Sequence, residues 1–206
     1  FTSAADDATA FVGALLERPY RVVHIAGHGT PGVAAADATP ARPASPGGVV
    51  LSGGHVLGPA EVAAMRVVPE LVFLNCCHLA AREARTALAP FDRTAFAANL
   101  AEALIEVGVR CVVAAGWAVE DRPAEVFATT FYDALLEGAR FLDAAAQARE
   151  KAWLAAPDGN TWAAYQCYGD PAWRWEPGRA RARPGEVKRA AGRRASARSP
   201  GAEFGQ

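Results

Sequence analysis

The chain has 206 residues, 51% of them hydrophobic and 21% charged, with a formal net charge of −1. That balance describes one globular domain, or one domain with a tail, and excludes a disordered or fibrous chain. No apolar run approaches the ~20 residues needed to cross a bilayer, so no membrane partner is expected.

The spacing of Phe11, Leu15 and Leu16 predicts a helix over 6–17, stopped by Pro19. Residues 21–26 read as a buried strand. Residues 30–47 hold four prolines among small residues and read as a loop. Residues 49–57 read as a hairpin, because Gly53-Gly54 can supply the positive φ of a tight turn. Pro59 opens a short helix that ends near Met65. A second buried strand is expected over 70–75, then an irregular connection over 79–93. Leu100, Leu104 and Val107 form one stripe of a helix over 94–107, ended by Gly108. Residues 110–115 form a third buried strand. Asp121 is read as the N-cap of a helix through Leu136, with Pro123 in its first turn. A helix over 143–154 and a strand over 163–168 follow, and Gly169-Asp170-Pro171 turn out of the strand. Strands alternating with helices imply an α/β fold with a mainly parallel sheet covered on both faces.

The last segment differs in kind. Residues 177–206 carry eight Arg or Lys against two Glu, a net of +6, which leaves −7 on the rest. Large apolar residues are almost absent there, so it cannot bury a core. We read 1–176 as the domain and 177–206 as a flexible basic tail. A solvated linker accounts for the tail, and nucleic acid is not an expected partner of the domain.

Four cysteines, Cys76, Cys77, Cys111 and Cys167, do not form the spaced framework of a secreted disulfide protein. A reducing, cytoplasmic setting fits better. Cys76-Cys77-His78 lacks the spacing of zinc ligands, so no metal is expected. No cofactor is expected either.

Two residues stand out by placement. His28 follows the apolar run 21–26, and Cys77 follows the run 70–75. If both strands run parallel in one open sheet, both residues reach its carboxyl edge, where such sheets place ligands. A thiol titrates near ~8.5 and needs a neighbouring base to act as a nucleophile at neutral pH. His28 could be that base, and Gly29 and Cys77 could offer backbone N–H groups to a developing oxyanion. Spacing alone leaves bland readings open: Cys77 as a small core residue, His28 as a loop histidine. His24, inside its strand, reads as a satisfied core residue. His55 and His78 have no clear partner.

Several motifs in order resemble one family. Val23-His24-Ile25-Ala26-Gly27-His28-Gly29 is similar to a strand ending in His-Gly. Phe73-Leu74-Asn75-Cys76-Cys77 occupies the place of a Leu-Ser-Ala-Cys strand end. Val112-Val113-Ala114-Ala115-Gly116-Trp117, continuing to Asp121, resembles a third strand with a Trp-x-Val-x-Asp loop. The helix with Phe131-Tyr132 and the end at Gly169-Asp170-Pro171 complete the match over about 8–176. These resemble the CHAT domain, a caspase-like cysteine peptidase family.

The resemblance implies a three-layer α/β/α sandwich of caspase type, truncated at its N-terminus, since the family usually has further strands before the first helix. It implies a cysteine endopeptidase acting on a protein or peptide, with His28 as base and Cys77 as nucleophile. It makes Trp117, Glu120 and Asp121 candidates for the substrate pocket, an acidic group there favouring a basic residue before the cut. The bland reading of Asp121 remains the helix cap. Sensor or repeat domains elsewhere in a bacterial-type parent chain are the implied regulators. The chain departs from the family after the cysteine, where Cys77-His78-Leu79-Ala80 replaces Cys-x-Thr-Gly. The rival reading is a catalytically silent caspase-like scaffold or interaction module.

Overall fold

The computed structural model describes residues 8–30, 39–40, 48–65, 67–79 and 90–178. Residues 179–206 of the expected tail, most of the loops expected over 30–47 and 79–93, and the first two residues of the expected first helix lie outside these residues.

Six strands form one sheet in the order β3-β2-β1-β4-β5-β6. Its centre is three parallel strands, β1 (Val22–Thr30), β4 (Leu71–Leu79) and β5 (Cys111–Ala115). These are the apolar runs of the sequence. Leu71, Val72, Phe73, Leu74 and every residue of β5 are buried, as strands covered on both faces must be. The flanks are antiparallel. β6 (Tyr165–Gly169) pairs with β5, and β2 (Gly48–Val50) pairs with the carboxyl half of β1 and with β3 (Val56–Leu57). The hairpin closes where the Leu51 N–H donates to the His55 carbonyl at 2.7 Å. Gly53 and Gly54 hold φ of 66° and 77° there, the left-handed region open to glycine.

Helices cover both faces. α1 (Ala8–Glu17), α2 (Pro59–Ala63) and α3 (Pro90–Glu106) lie on one side. α4 (Asp121–Leu136) and α5 (Phe141–Ala155) lie on the other, and the short α6 (Thr161–Ala164) leads into β6. Alternation along β4 feeds both layers. Leu71 and Phe73 pack with Phe127 and Phe131 of α4, and Val72 and Leu74 with Leu100 and Leu104 of α3. Ala144, Ala145, Ala148 and Ala152 of α5 are buried. Their small side chains let α5 lie close to α4. The result is the three-layer α/β/α arrangement expected. Among the described residues no helix is long and apolar enough to cross a membrane.

Several boundaries differ from expectation. β1 and β4 continue to Thr30 and Leu79, past the apolar runs, because pairing with each other and with β2 carries them further. α3 begins at Pro90 and not at 94, so the irregular connection ends earlier; proline suits a first turn. α5 begins at Phe141, where Arg140 pairs with Asp143 across the first turn at 2.7 Å. The N-cap of α4 is Glu120, and Asp121 is the first helical residue. Asp121 therefore faces the positive end of the helix dipole from inside the first turn and caps no N–H.

Candidate active site

β1 and β4 run in step from Val22 opposite Leu71 to Ala26 opposite Asn75. The register then shifts, and pairing resumes with His28 opposite His78 and Gly29 opposite Leu79. One residue of β1, Gly27, thus spans two of β4, Cys76 and Cys77. That is the signature of a β-bulge, a device found next to active sites that interrupts the ladder locally. His28 and Cys77 stand on adjacent parallel strands at this irregularity. Both lie inside the strands, whereas the apolar runs placed them just past the ends. Gly27 is exposed and carries no side chain to cover the bulge.

The other thiols are occupied or inert. Cys76 is 8% exposed and its thiol donates to the Ile25 carbonyl at 3.7 Å, within the α3-side core. Burial pushes the Cys111 thiol up to about 12; it sits at the opposite, amino end of β5 and donates to the Asp170 carbonyl at 3.6 Å. Burial also pushes Cys167 up to about 11, although the Arg149 guanidinium, 3.8 Å away, opposes the shift. Thiols held that high stay protonated at neutral pH and are poor nucleophiles.

His24 is partnered, as a core histidine would be. Its ring stacks on Phe73 with centroids 4.5 Å apart, and Nδ1 lies 3.0 Å from the Tyr132 hydroxyl. The residue is nevertheless exposed, which corrects the expectation of a buried site. α4 reaches β1 through Tyr132, and Ala26 and Gly27 beyond it are exposed as well. Burial of the ring against these aromatics holds its pKa below the usual 6.5. His55 is exposed in the hairpin turn.

The loop after β5 opens at the same carboxyl edge. Trp117 lies two residues past the strand and is half-buried, and its indole N–H is buried with no acceptor among the described residues. Glu120 is exposed; its backbone N–H donates to the Thr161 hydroxyl at 3.0 Å, tying the loop to α6. A side chain at Gly159 would come within 3.1 Å of the Glu120 carboxylate, so glycine leaves that carboxylate its room. Asp121 is exposed at the start of α4.

One polar pair was not anticipated. The Tyr165 hydroxyl donates to Asn75 Oδ1 at 3.2 Å. Tyr165 is fully buried, its ring stacked on Phe127 at 4.1 Å, so the hydroxyl is a fixed donor. With its carbonyl oxygen held, Asn75 keeps its amide N–H groups to offer elsewhere at the strand end. The available signal was an asparagine closing an otherwise apolar strand.

No cluster of His, Cys, Asp or Glu suited to a metal ion occurs among the described residues. No curated protein matches the chain. A family model described as the CHAT domain matches residues 2–170. That span covers every strand of the sheet and the motifs around His28, Cys77 and Trp117, and the chain belongs to the CHAT domain family, a caspase-like family.

Proposed function

We propose that this domain is a cysteine endopeptidase module that cuts a protein or peptide partner, with Cys77 as nucleophile and His28 as base. The observation that carries the reading is the register shift opposite Gly27, with His28 and Cys77 on adjacent parallel strands beside it. Elimination adds support, since Cys76, Cys111 and Cys167 are each taken up by other contacts.

The chemistry runs in two halves. His28 takes the thiol proton, and the Cys77 sulfur attacks the substrate carbonyl. The proton passes to the leaving amine as the C–N bond breaks. Water, deprotonated by His28, then cleaves the thioester and restores the thiol. Cys77 falls outside the register pairs at the bulge, and its backbone N–H is the candidate donor to the oxyanion. Gly29 is paired with Val49 on one side and Leu79 on the other, so its amide serves only by leaving the ladder. Trp117, Glu120 and Asp121 supply the substrate pocket, the carboxylates favouring a basic residue before the cut. The parent chain supplies sensor or repeat domains that regulate the site, in a cytoplasmic setting, and 177–206 is a dispensable tail.

The test is labelling with a thiol-reactive peptide ketone, with the adduct located by mass spectrometry. Label should fall on Cys77 and persist in Cys76→Ala. Cys77→Ala and His28→Ala should each lower peptide cleavage at least about a thousandfold with unchanged melting, since a dyad acts as one unit.

A second reading has its own support. The segment after Cys77 continues as strand to Leu79, paired with Gly29, where the family's Cys-x-Thr-Gly turn would stand. A site locked in a ladder suits a silent scaffold. A folded parent protein that takes no label with any candidate trigger would establish that reading.

A further inference from the structure

We infer that Thr161 is a positioning residue for the proposed reaction, fixing the loop after β5 so that Glu120 takes a basic residue before the cut. The inference rests on the reading of the domain as a cysteine endopeptidase with that loop in its substrate pocket.

The loop over 116–120 joins β5 to α4, and both its ends are tied to one short segment. The Gly116 N–H donates to the Ala164 carbonyl at 2.8 Å, and the Glu120 N–H donates to the Thr161 hydroxyl oxygen at 3.0 Å. Between these ties, Trp117, Ala118 and Val119 make no backbone hydrogen bond to another segment among the described residues. The second tie depends on a side chain. Thr161 is 2% exposed and, among the described residues, is the one buried Ser, Thr, Asn, Gln or charged side chain. Valine would fill the same space without the cost of burying a hydroxyl. The bond to the Glu120 N–H is what the hydroxyl adds.

The anchor is itself tied to the strand that carries Cys77. Thr161 opens α6, which runs directly into β6. Tyr165, the first residue of β6, pairs with Ala115, and its hydroxyl donates to Asn75 Oδ1, two residues before Cys77. One continuous segment therefore locates both the pocket loop and the end of β4.

Glu120 is gripped at both backbone groups, since its carbonyl also accepts the Ala124 N–H at 3.0 Å. The residue is exposed, and Gly159 leaves its carboxylate room. A fixed backbone under a free carboxylate presents the negative charge at a set place, and a misplaced partner binds a cation less well. Glu120, rather than Asp121, is the residue the anchor holds.

The probes are the acyloxymethyl ketones of acetyl-Ala-Ala-Arg and acetyl-Ala-Ala-citrulline, which differ in charge and little in shape. Labelling of Cys77 in the full chain is timed by mass spectrometry. The wild type should take the arginine probe at least about tenfold faster. Thr161→Val should lower that ratio about threefold to tenfold, the worth of one hydrogen bond, with the citrulline rate within about twofold of wild type. Thr161→Ser should restore the ratio, and Glu120→Gln should abolish the preference. The Glu120 amide should exchange at least about tenfold faster in Thr161→Val and not in Thr161→Ser, with no probe present. Should Thr161→Val not fold, Gly159→Ala, which crowds the Glu120 carboxylate, should lower the ratio in its place. An unchanged ratio or an unchanged Glu120 amide, with Cys77 still labelled, would overturn the inference and leave the peptidase reading standing. So would a wild type that takes both probes alike, or a loss in Thr161→Val shared equally by the two. No label on Cys77 from either probe would remove the peptidase reading, and the inference with it.

Discussion

On the side of the sheet that carries α4 and α5, Phe73, Phe127, Phe131 and Tyr165 are fully buried and touch one another ring to ring. On the flank formed by α1 and the amino half of β1, Phe11 and Val22 are half-buried, His24 and Ala26 are exposed, and a cavity separates helix from strand. Both flanks are helix packed on parallel strand. They differ in partners: residues 71–74 of β4 and all of β5 have a strand on either side, while among the described residues the amino half of β1 pairs with β4 alone. A strand with neighbours on both sides gives a helix a broad surface to cover, and a strand with one gives a ledge. The complete flank is the more tightly packed of the two.

Truncation on each side measures that difference. Phe127→Ala should cost about 3–5 kcal/mol in denaturant unfolding, since the cavity it leaves is walled by other fixed rings. Phe11→Ala should cost about 1 kcal/mol or less, because the ring already borders empty space. Equal losses would mean that α1 is as integral as α4 and would break the comparison.

Arg21 joins the amino end of β1 to the complete side. Its Nε meets Glu70 Oε1 at 2.6 Å, with the two side chains only 11% and 17% exposed. Its Nη2 donates to the Glu176 carbonyl at 2.9 Å, and the guanidinium sits 3.9 Å above the Trp175 ring. Arg21→Ala leaves Glu70 without its cation and Trp175 without its cover, and should cost about 2 kcal/mol. Arg21→Lys should recover less than half, since an ammonium cannot reproduce the fork or the stacking. Full recovery by lysine would reduce the site to simple charge pairing.

The complete side was also the legible side. Val112 to Ala115 and Leu71 to Leu74 announce themselves by hydrophobicity, because burial on both faces leaves no room for polar residues. The extension of β1 through Gly27-His28-Gly29 and of β4 to Leu79 has no such mark. Those residues are strand because β2 and the neighbouring strand accept them, and pairing between distant segments leaves no local pattern. The register shift at Cys76 and Cys77 is hidden for the same reason, as is the bond between Asn75 and Tyr165, 90 residues apart. The shared edge of His28 and Cys77 was readable, since two apolar runs ending alike in a parallel sheet must end together. That both lie within strands was not.

The smallest expected effect is a pH dependence at the boundary between the two flanks. Burial against Phe73 and Tyr132 holds the His24 pKa below its ordinary 6.5, while the unfolded chain keeps that ordinary value. Above about pH 7 the imidazole is neutral in both states and contributes no pH dependence. As pH falls through about 6.5 the unfolded state takes up its proton first, so stability falls until the folded state is protonated too. The residue is exposed overall, and water screens the charge, so the slope should be shallow. Every other titratable group is common to the wild type and a His24→Gln variant. The difference between their melting curves at about pH 7.5 and about pH 5 therefore isolates His24. His24→Gln should lose less melting temperature on acidification than the wild type, even though it melts lower at neutral pH for want of the Tyr132 bond. Parallel curves would mean that the ring titrates as freely folded as unfolded, and that the β1 flank is open right up to Phe73.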